Sequence, residues 1–125
     1  MKPLLSILTI LLVFGCNQPQ DEVISFIPGV YARYGEDEFT KDYDTLAIAG
    51  PQETGSQVFQ ITKRQRFQKT IEGKQLPEQY KVTHLLATYS PESKILIVSN
   101  SGQVISFFPS RNELRFGVTS YRKIK

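Results

Sequence analysis

The sequence predicts an all-β protein built from seven or eight antiparallel strands. Apolar residues recur at a period of two, as Phe59 and Ile61 do, which places them on one face of a strand. Gly, Pro and Asn interrupt the apolar runs at short intervals, as turns require. Every connection is short, which favours antiparallel neighbours over parallel crossovers. The simplest arrangement is an up-and-down barrel, and a two-sheet sandwich is the alternative.

Each predicted strand rests on alternation or on β-branched content, bounded by turn residues. Asn100-Ser101-Gly102 joins two short apolar runs and is a hairpin signal, in which Asn or Gly supplies a positive φ. No segment has the periodicity of an amphipathic helix of ordinary length. The predicted strands are 29–34, 43–49, 57–70, 79–89, 94–99, 103–108, 113–117 and, as an eighth, 119–124.

The third predicted strand contains one irregularity. If Phe59 and Ile61 face inward, alternation also places Lys63 and Gln65 inside, before Phe67. Either a β-bulge shifts the alternation, or the barrel interior is polar at one level, which would indicate a ligand. The bulge is the preferred interpretation.

The N-terminus has the layout of a secretory signal. Lys2 precedes an apolar run over residues 4–15, shorter than the about 20 residues that cross a bilayer. A buried core helix is the alternative, although the run has no polar face. The run ends at Cys16, the one cysteine of the chain, which cannot form an intrachain disulfide.

The stretch Val13-Phe14-Gly15-Cys16 resembles the lipobox of bacterial lipoproteins. Gly15 and Cys16 match that motif, whereas Val13 stands where Leu is usual and Phe14 is bulkier than the usual residue. The resemblance implies cleavage before Cys16 and acylation of both its sulfur and the new amino terminus, which together make anchoring stable. Asn17 implies, by analogy with enterobacterial lipoproteins, sorting to the outer membrane. The alternative role for Cys16 is a small apolar residue or a free thiol.

These observations divide the chain into a signal peptide over residues 1–15, a lipidated tether over 16–25 and a single β domain over 26–125. Removing the signal leaves 110 of the 125 residues, enough for one domain. Residues 17–22 are polar without apolar periodicity, as in a flexible tether that contributes nothing to a core.

The sequence Pro-Gly-Val-Tyr at residues 28–31 resembles the Gly-x-Trp motif in the first strand of lipocalin-like barrels, with Tyr31 in the Trp position. A late Arg packs over that ring in the family, which implies the same role for Arg122. The chain departs from the family in having no Trp, no C-terminal helix pattern and a shorter length. The overall run from residue 26 to residue 124 also resembles small lipoproteins of Bacteroidetes-type bacteria, which implies no mechanism.

The sequence lacks a constellation suited to catalysis. His84 is the one histidine, and a metal site or a catalytic triad needs more nitrogen or thiolate groups. We interpret it as a strand residue at the surface or in the barrel wall. No Gly-rich phosphate loop or nucleophile elbow is present. We therefore predict no enzymatic activity, no cofactor and no metal, with a hydrolase as the minor alternative.

Acidic residues cluster early, at residues 36–38 and at Asp42 and Asp44. Carboxylate pairs can serve a glycosidase, and carboxylate oxygens can hold calcium. The spacing lacks the regular alternation of an EF-hand loop. A solvated hairpin tip is therefore the preferred interpretation.

Basic residues cluster on the third predicted strand, at Lys63, Arg64, Arg66 and Lys69. With Phe67 beside them they suggest nucleic-acid binding, but an exported lipoprotein rarely meets nucleic acid, so no such partner is predicted. The preferred interpretation is a solvated cationic face with Arg64 and Arg66 pointing outward. The functional alternative is an anion-binding face for lipid headgroups, polysaccharide or an acidic partner.

Together these features predict a lipid-anchored binding or interaction module of the cell envelope, at the outer membrane. The lipid anchor contacts the membrane, and the candidate ligands are an envelope protein, a glycan or a small apolar molecule. The alternative is an accessory or assembly subunit of an envelope complex, with no ligand of its own. An interior cavity would favour ligand binding, whereas a filled interior with an exposed apolar patch would favour assembly.

Overall fold

A computed structural model describes residues 22–51 and 55–125, which form an all-β structure with very little helix. Cys16, the predicted signal and residues 16–21 of the predicted tether lie outside the described residues. The elements in chain order are the helix α1 (Glu22–Phe26), the strands β1 (Gly29–Glu36), β2 (Thr40–Ala49), β3 (Val58–Ile71), β4 (Lys74–Gln75), β5 (Gln79–Ser90), β6 (Ile95–Val98) and β7 (Val104–Phe108), a 3₁₀ helix (Pro109–Arg111), and the strands β8 (Glu113–Phe116) and β9 (Thr119–Lys123).

Eight of the strands close into an antiparallel barrel, in which β1, β2, β3, β5, β6, β7, β8 and β9 each pair with the next and β9 pairs with β1. The short β4 pairs only with the end of β3 and lies outside the barrel. The predicted all-β class and the up-and-down barrel are confirmed, and the sandwich alternative is not. The eighth predicted strand is present as β9.

The predicted hairpin between β6 and β7 is also confirmed. Asn100 has a φ of 75° and Gly102 a φ of 71°, so both adopt the left-handed backbone that the turn requires. The backbone N–H of Val98 donates to the carbonyl oxygen of Gln103 at 2.8 Å and fixes the register of the two strands.

Apolar side chains fill the barrel, because the inward positions of every barrel strand are apolar over at least part of its length. Tyr31, Phe59 and Tyr89 are the largest side chains that are almost fully buried. The buried apolar residues are Ile27, Tyr31, Leu46, Ile48, Phe59, Ile61, Ala87, Tyr89, Leu96, Val98, Ile105, Phe107, Leu114, Phe116 and Tyr121.

The helix α1 packs on one end of this core, beside β7 and the 3₁₀ helix. Val23, Ile24 and Phe26 are partly buried against the core. The prediction that the tether extends to residue 25 without contributing to a core is therefore wrong at its end, because Val23 and Ile24 belong to the packed domain. Within the described residues no helix has the length and apolar character needed to span a bilayer.

The strand β3 contains no bulge between Ile61 and Phe67. It pairs with β2 from Gln60 to Lys69 and with β5 from Val58 to Phe67, and both registers run without interruption. The bulge prediction is therefore wrong, and the alternative holds. Lys63 and Gln65 stay on the inner side of the strand, so the barrel is polar at that level.

Tyr31 connects the barrel wall to α1. Its ring is fully buried, and its hydroxyl lies 2.8 Å from the carbonyl oxygen of Phe26 and 3.0 Å from that of Ile27, the two acceptors for its proton. Burial raises the pKa of Tyr31 well above its usual value, so the hydroxyl remains a donor.

A lysine, not the predicted arginine, covers the Tyr31 ring. Lys123 Nζ lies 5.6 Å from the centroid of Tyr31 and 4.3 Å from that of Phe26, and it donates to the Phe26 carbonyl. Burial lowers the pKa of Lys123. The prediction for Arg122 is wrong, because strand alternation turns Tyr121 and Lys123 inward and leaves Arg122 exposed.

Replacing Tyr31 with Phe should destabilise the domain by about 1–2 kcal/mol, because the two backbone carbonyls at the end of α1 lose their donor in a buried site. Urea unfolding followed by circular dichroism measures the loss. Tyr80→Phe is the matched control, since Tyr80 is 62% exposed, and it should change stability by less than about 0.5 kcal/mol. Equal effects of the two substitutions would contradict the role assigned to Tyr31.

Candidate functional site

The barrel strands differ greatly in length. β1, β2, β3 and β5 have 8, 10, 14 and 12 residues, whereas β6 to β9 have 4 or 5. At about 3.3 Å per residue, the long strands extend well beyond the short ones. We call the extension the protruding sheet; it comprises residues 33–36, 40–45, 62–71 and 79–85.

The protruding sheet lies at the end of the barrel opposite α1. The turns at residues 37–39 and 72–73 cap it, whereas α1 packs beside the 3₁₀ helix at the other end. Pairing of β1 with β9 ends at Ala32, and pairing of β5 with β6 begins at Ala87. On these two sides the sheet has no strand neighbour among residues 22–51 and 55–125. These features single it out as the candidate functional site.

An ion-pair cluster occupies the inner face of the protruding sheet. Arg33 and Asp44 are directly opposite each other on β1 and β2, and Asp42 follows on the same side of β2. Arg33 Nη1 lies 2.7 Å from Asp42 Oδ2 and 3.1 Å from Asp44 Oδ2. Among the described residues, Asp44 is the one buried charged side chain, 5% exposed.

Gly35 makes room for this cluster. It is the cross-strand partner of Asp42, and a Cβ at this position would collide with Asp42 Oδ1 and lie 2.9 Å from Arg33 Nη2. A side chain here would require the Asp42 carboxylate or the Arg33 guanidinium to shift, so glycine leaves room for the observed contact.

The cluster also sets the electrostatic environment of Tyr121. The pKa of Tyr121 is raised to about 12, mainly by burial and also by the negative charge of Asp44, while the positive charge of Arg33 lowers it. The hydrogen bond to Asp42 raises the pKa of Arg33, so the guanidinium stays charged. One guanidinium thus holds both carboxylates, an arrangement suited to fixing strand positions rather than to proton transfer.

A row of large side chains crosses the outer face of the same sheet. Tyr34 is opposite Tyr43, Tyr43 is opposite Arg66, and Arg66 is opposite Tyr80. We call these four residues the aromatic row. Tyr34 and Tyr80 are 61% and 62% exposed. The guanidinium carbon of Arg66 lies 5.4 Å from the Tyr43 ring centroid, and its Nε lies 2.9 Å from Oε1 of Glu78.

Two shallow clefts flank the aromatic row. One, of about 310 Å³, lies between Tyr34, Tyr43 and Glu78. The other, of about 180 Å³, lies between Tyr43, Arg64 and Tyr80. Both open to solvent, so this face suits contact with a surface or an extended chain rather than enclosure of a small molecule.

The structure does not bring the four predicted anion-binding residues onto one face. Lys63 lies on the inner side of β3, half-buried, with Nζ 5.4 Å from the Phe116 ring centroid, and Lys69 shares that side of the strand. Arg64 and Arg66 lie on the outer side, as predicted, both exposed. Arg66 is paired with Glu78, whereas Arg64 has no ion-pair partner among residues 22–51 and 55–125.

The prediction for the acidic cluster holds for one part and fails for the other. Glu36 and Asp37 lie at the exposed β1–β2 hairpin, where Asp37 Oδ1 accepts the backbone N–H of Phe39 at 2.8 Å. Asp42 and Asp44 do not belong to this solvated tip. Alternation along β2 turns both inward onto Arg33.

His84 lies on the exposed outer face of β5, where Nδ1 is 3.5 Å from the Thr62 hydroxyl. Its predicted surface position is confirmed. Within the described part of the chain no three His, Cys, Asp or Glu side chains group closely enough to hold a metal ion.

Sequence reasoning missed Arg33 and the aromatic row. Arg33 stands two residues after the buried Tyr31, so period-two alternation alone places it inside. Finding its partner requires the β1–β2 register, which pairs it with Asp44. The row is spread over four strands, and no local pattern connects its members.

Comparison with known proteins adds no family to this description. No protein-family model, no curated protein and no solved structure matches the chain.

Replacing Arg33 with Met should destabilise the domain by about 3 kcal/mol, because the buried Asp44 carboxylate loses its positive partner. The double variant Arg33→Met with Asp44→Leu should recover a large part of this loss, since it leaves no unpaired charge at the buried position. Chemical denaturation of the single and double variants gives the coupling free energy.

Arg111→Met provides the control for this cycle. Arg111 pairs with Glu113 at 3.5 Å and its side chain is 56% exposed, so its loss should cost less than about 1 kcal/mol. If Arg33→Met proved no more harmful than Arg111→Met, the ion-pair cluster would not be a main stabilising feature of the protruding sheet.

Proposed function

We propose that this protein is a lipid-anchored interaction module of the cell envelope that binds a macromolecular partner through its protruding sheet. The proposal joins the lipobox-like sequence at Cys16 with the geometry of the barrel. Cys16 holds the chain at the outer membrane, and the barrel presents the sheet to the partner. The protein acts without a cofactor and without catalysis.

The observation that supports this proposal best is the location of the free surface. Large apolar side chains fill the barrel between the α1 end and the polar level at Lys63 and Gln65, the space where a lipocalin-like protein would hold a small ligand. The clefts beside the aromatic row lie on the outside and are open. Of the candidate ligands, a small apolar molecule therefore fits poorly, whereas an envelope protein or a glycan fits the exposed sheet.

The chemistry of the aromatic row also fits a binding surface. Tyrosine and arginine are enriched among residues that dominate interface energetics, because they offer large contact areas together with polar groups. The Arg66 guanidinium lies over the Tyr43 ring, and Arg66 is paired with Glu78, so both contacts restrict this part of the row in the free chain. Pre-ordering lowers the entropy lost on binding.

The orientation of the barrel supports the same proposal. The first described residue, Glu22, begins α1 at the end opposite the protruding sheet. A chain attached to a membrane through residues before Glu22 has its attachment at the α1 end. The protruding sheet is then the end away from the point of attachment.

An apolar patch favours a second candidate, an assembly subunit with no ligand of its own. Leu86, Ile97 and Val104 are 49%, 42% and 38% exposed on the outer wall of β5, β6 and β7. Ile97 and Val104 are cross-strand partners, and Leu86 lies two residues before Thr88, the partner of Ile97 on β5. Exposed apolar patches of this kind are typical of protein–protein contacts.

A photo-crosslinking amino acid at Tyr34 or Tyr80 should give a discrete adduct in intact cells, because both side chains lie in the proposed binding surface. The same amino acid at Glu92, in the exposed β5–β6 turn at the α1 end, is the control and should give none. Arg66→Glu should reduce the adduct from Tyr34 by about tenfold, since it disrupts the row. An adduct from Ile97 alone would favour the assembly subunit and refute the proposed surface.

Cys16→Ser should abolish acylation and leave a larger, unprocessed precursor, because the thiol is the proposed lipid attachment point. Metabolic labelling with a fatty acid analogue, followed by gel analysis, measures both effects. Equal label in the wild-type chain and the Cys16→Ser variant would disprove the anchor.

A further inference from the structure

Among the described residues, β5 has no strand paired with it along most of one of its sides. It pairs with β3 from Gln79 to Thr88, but with β6 only from Ala87 to Ser90. The side that faces away from β3 is therefore open from Gln79 to Leu85. We call this segment the β5 edge.

The backbone groups that point to the open side can be assigned from the hydrogen bonds at its end. Tyr89 donates its N–H to Gln57 on the β3 side, whereas the Leu86 carbonyl accepts from Ser99 on the β6 side. Alternation in an antiparallel ladder then turns the odd residues toward β3 and the even ones toward the opening. Tyr80, Val82 and His84 thus direct their N–H and C=O groups outward.

Side-chain exposure agrees with an uncovered edge. Every residue from Gln79 to Val82 is exposed, although successive residues point to opposite faces of the sheet. Both faces are therefore open to solvent beside this edge. A strand with free backbone groups and both faces accessible is a template for another extended chain.

We propose that the β5 edge binds an extended acidic segment of the partner, which adds to the protruding sheet as a further β-strand. This inference rests on the proposed function and names the part of the sheet that is recognised. Backbone hydrogen bonds from Tyr80, Val82 and His84 supply the pairing. The side chains beside them select the sequence of the added strand.

Charge complementarity identifies the segment as acidic. Lys81 lies on the edge itself, and Arg64 and Arg66 are the cross-strand neighbours of Val82 and Tyr80. Glu78 offsets Arg66 on the outer face, whereas Lys81, on the inner face and directly at the edge, has no ion-pair partner among the described residues. Acidic residues on the added strand would lie next to Lys81, and apolar residues next to Tyr80 and Val82.

The same charge disfavours a second copy of this chain as the occupant. Antiparallel pairing of two β5 edges places two copies of Lys81 directly or diagonally opposite whenever the shared segment is centred near Val82. A lysine on an exposed edge is a common protection against such self-association. An acidic strand meets no such repulsion.

The test uses the whole chain carrying Cys16→Ser and two capped peptides, one alternating valine with glutamate and the other valine with lysine. Amide hydrogen exchange by NMR should be fast at Tyr80, Val82 and His84 in the free chain. The glutamate peptide should slow it by about tenfold at these residues, and the lysine peptide should not. The N–H groups of Lys81 and Thr83 face β3 and should be slow throughout, an internal control.

Two variants separate the contribution of the backbone to peptide binding from the contribution of charge. Val82→Pro removes an outward N–H without removing a bond to β3 and should abolish protection, whereas Val82→Thr should retain it. Slow exchange at Lys81 and Thr83 verifies that each variant is folded. Lys81→Glu leaves the backbone unchanged and should reverse the preference toward the lysine peptide, so the test stands even if Val82→Pro disturbs the fold.

Several outcomes would overturn the inference. Slow exchange at Tyr80 and Val82 in the dilute free chain would mean that the edge is covered, and protection that rises with protein concentration would assign the edge to a second copy. The inference would also be refuted if the glutamate peptide did not slow amide exchange at the edge, or if both peptides slowed it equally. Crosslinking at Tyr34 is independent of the β5 edge and reports on the proposed function alone.

Discussion

The uninterrupted two-residue alternation of β3 is the constraint on which the rest of the structure depends. This strand pairs with two long neighbours, and a bulge on either side would break a ladder of ten consecutive pairs. Phe59 and Ile61 must therefore share their side with Lys63 and Gln65. The apolar part of the barrel and its polar level are consecutive stretches of the same strand face.

A polar level inside a barrel is stable only when its charges are compensated. Arg33 compensates the two carboxylates at this level, because its guanidinium contacts Asp42 and Asp44 where the short strands end. Desolvating a lone carboxylate would cost several kcal/mol, and a partner at hydrogen-bonding distance offsets much of that cost. The same contacts connect β1 to β2 beyond the point where β9 stops supporting β1. The cluster thus stabilises the protruding sheet, in which β1 no longer pairs with β9.

The sequence predicted those features that depend on local pattern, since alternation and turn residues identified every barrel strand to within a few residues. Features that depend on the register between strands were not predicted. Arg33 and Asp44 are 11 residues apart and meet only because of how β1 pairs with β2. The family motif predicted Arg122 over the Tyr31 ring, because a motif specifies a residue type. Strand alternation determines which face of the sheet a side chain lies on, and it places Lys123 there instead. The five-residue α1 is too short for a visible periodicity and forms through its packing on the barrel core.

Unequal strand length connects the fold to the proposed function. A barrel of eight equal strands has no edges, so its backbone groups are satisfied and unavailable to a partner. Here β6 to β9 end early, and the sheet formed by β1, β2, β3 and β5 continues with an unpaired β5 edge. The filled barrel supplies stability, the ion-pair cluster keeps the extension ordered, and the free edge and aromatic row remain accessible. Barrel closure at the α1 end therefore provides a rigid base from which an open sheet can be presented.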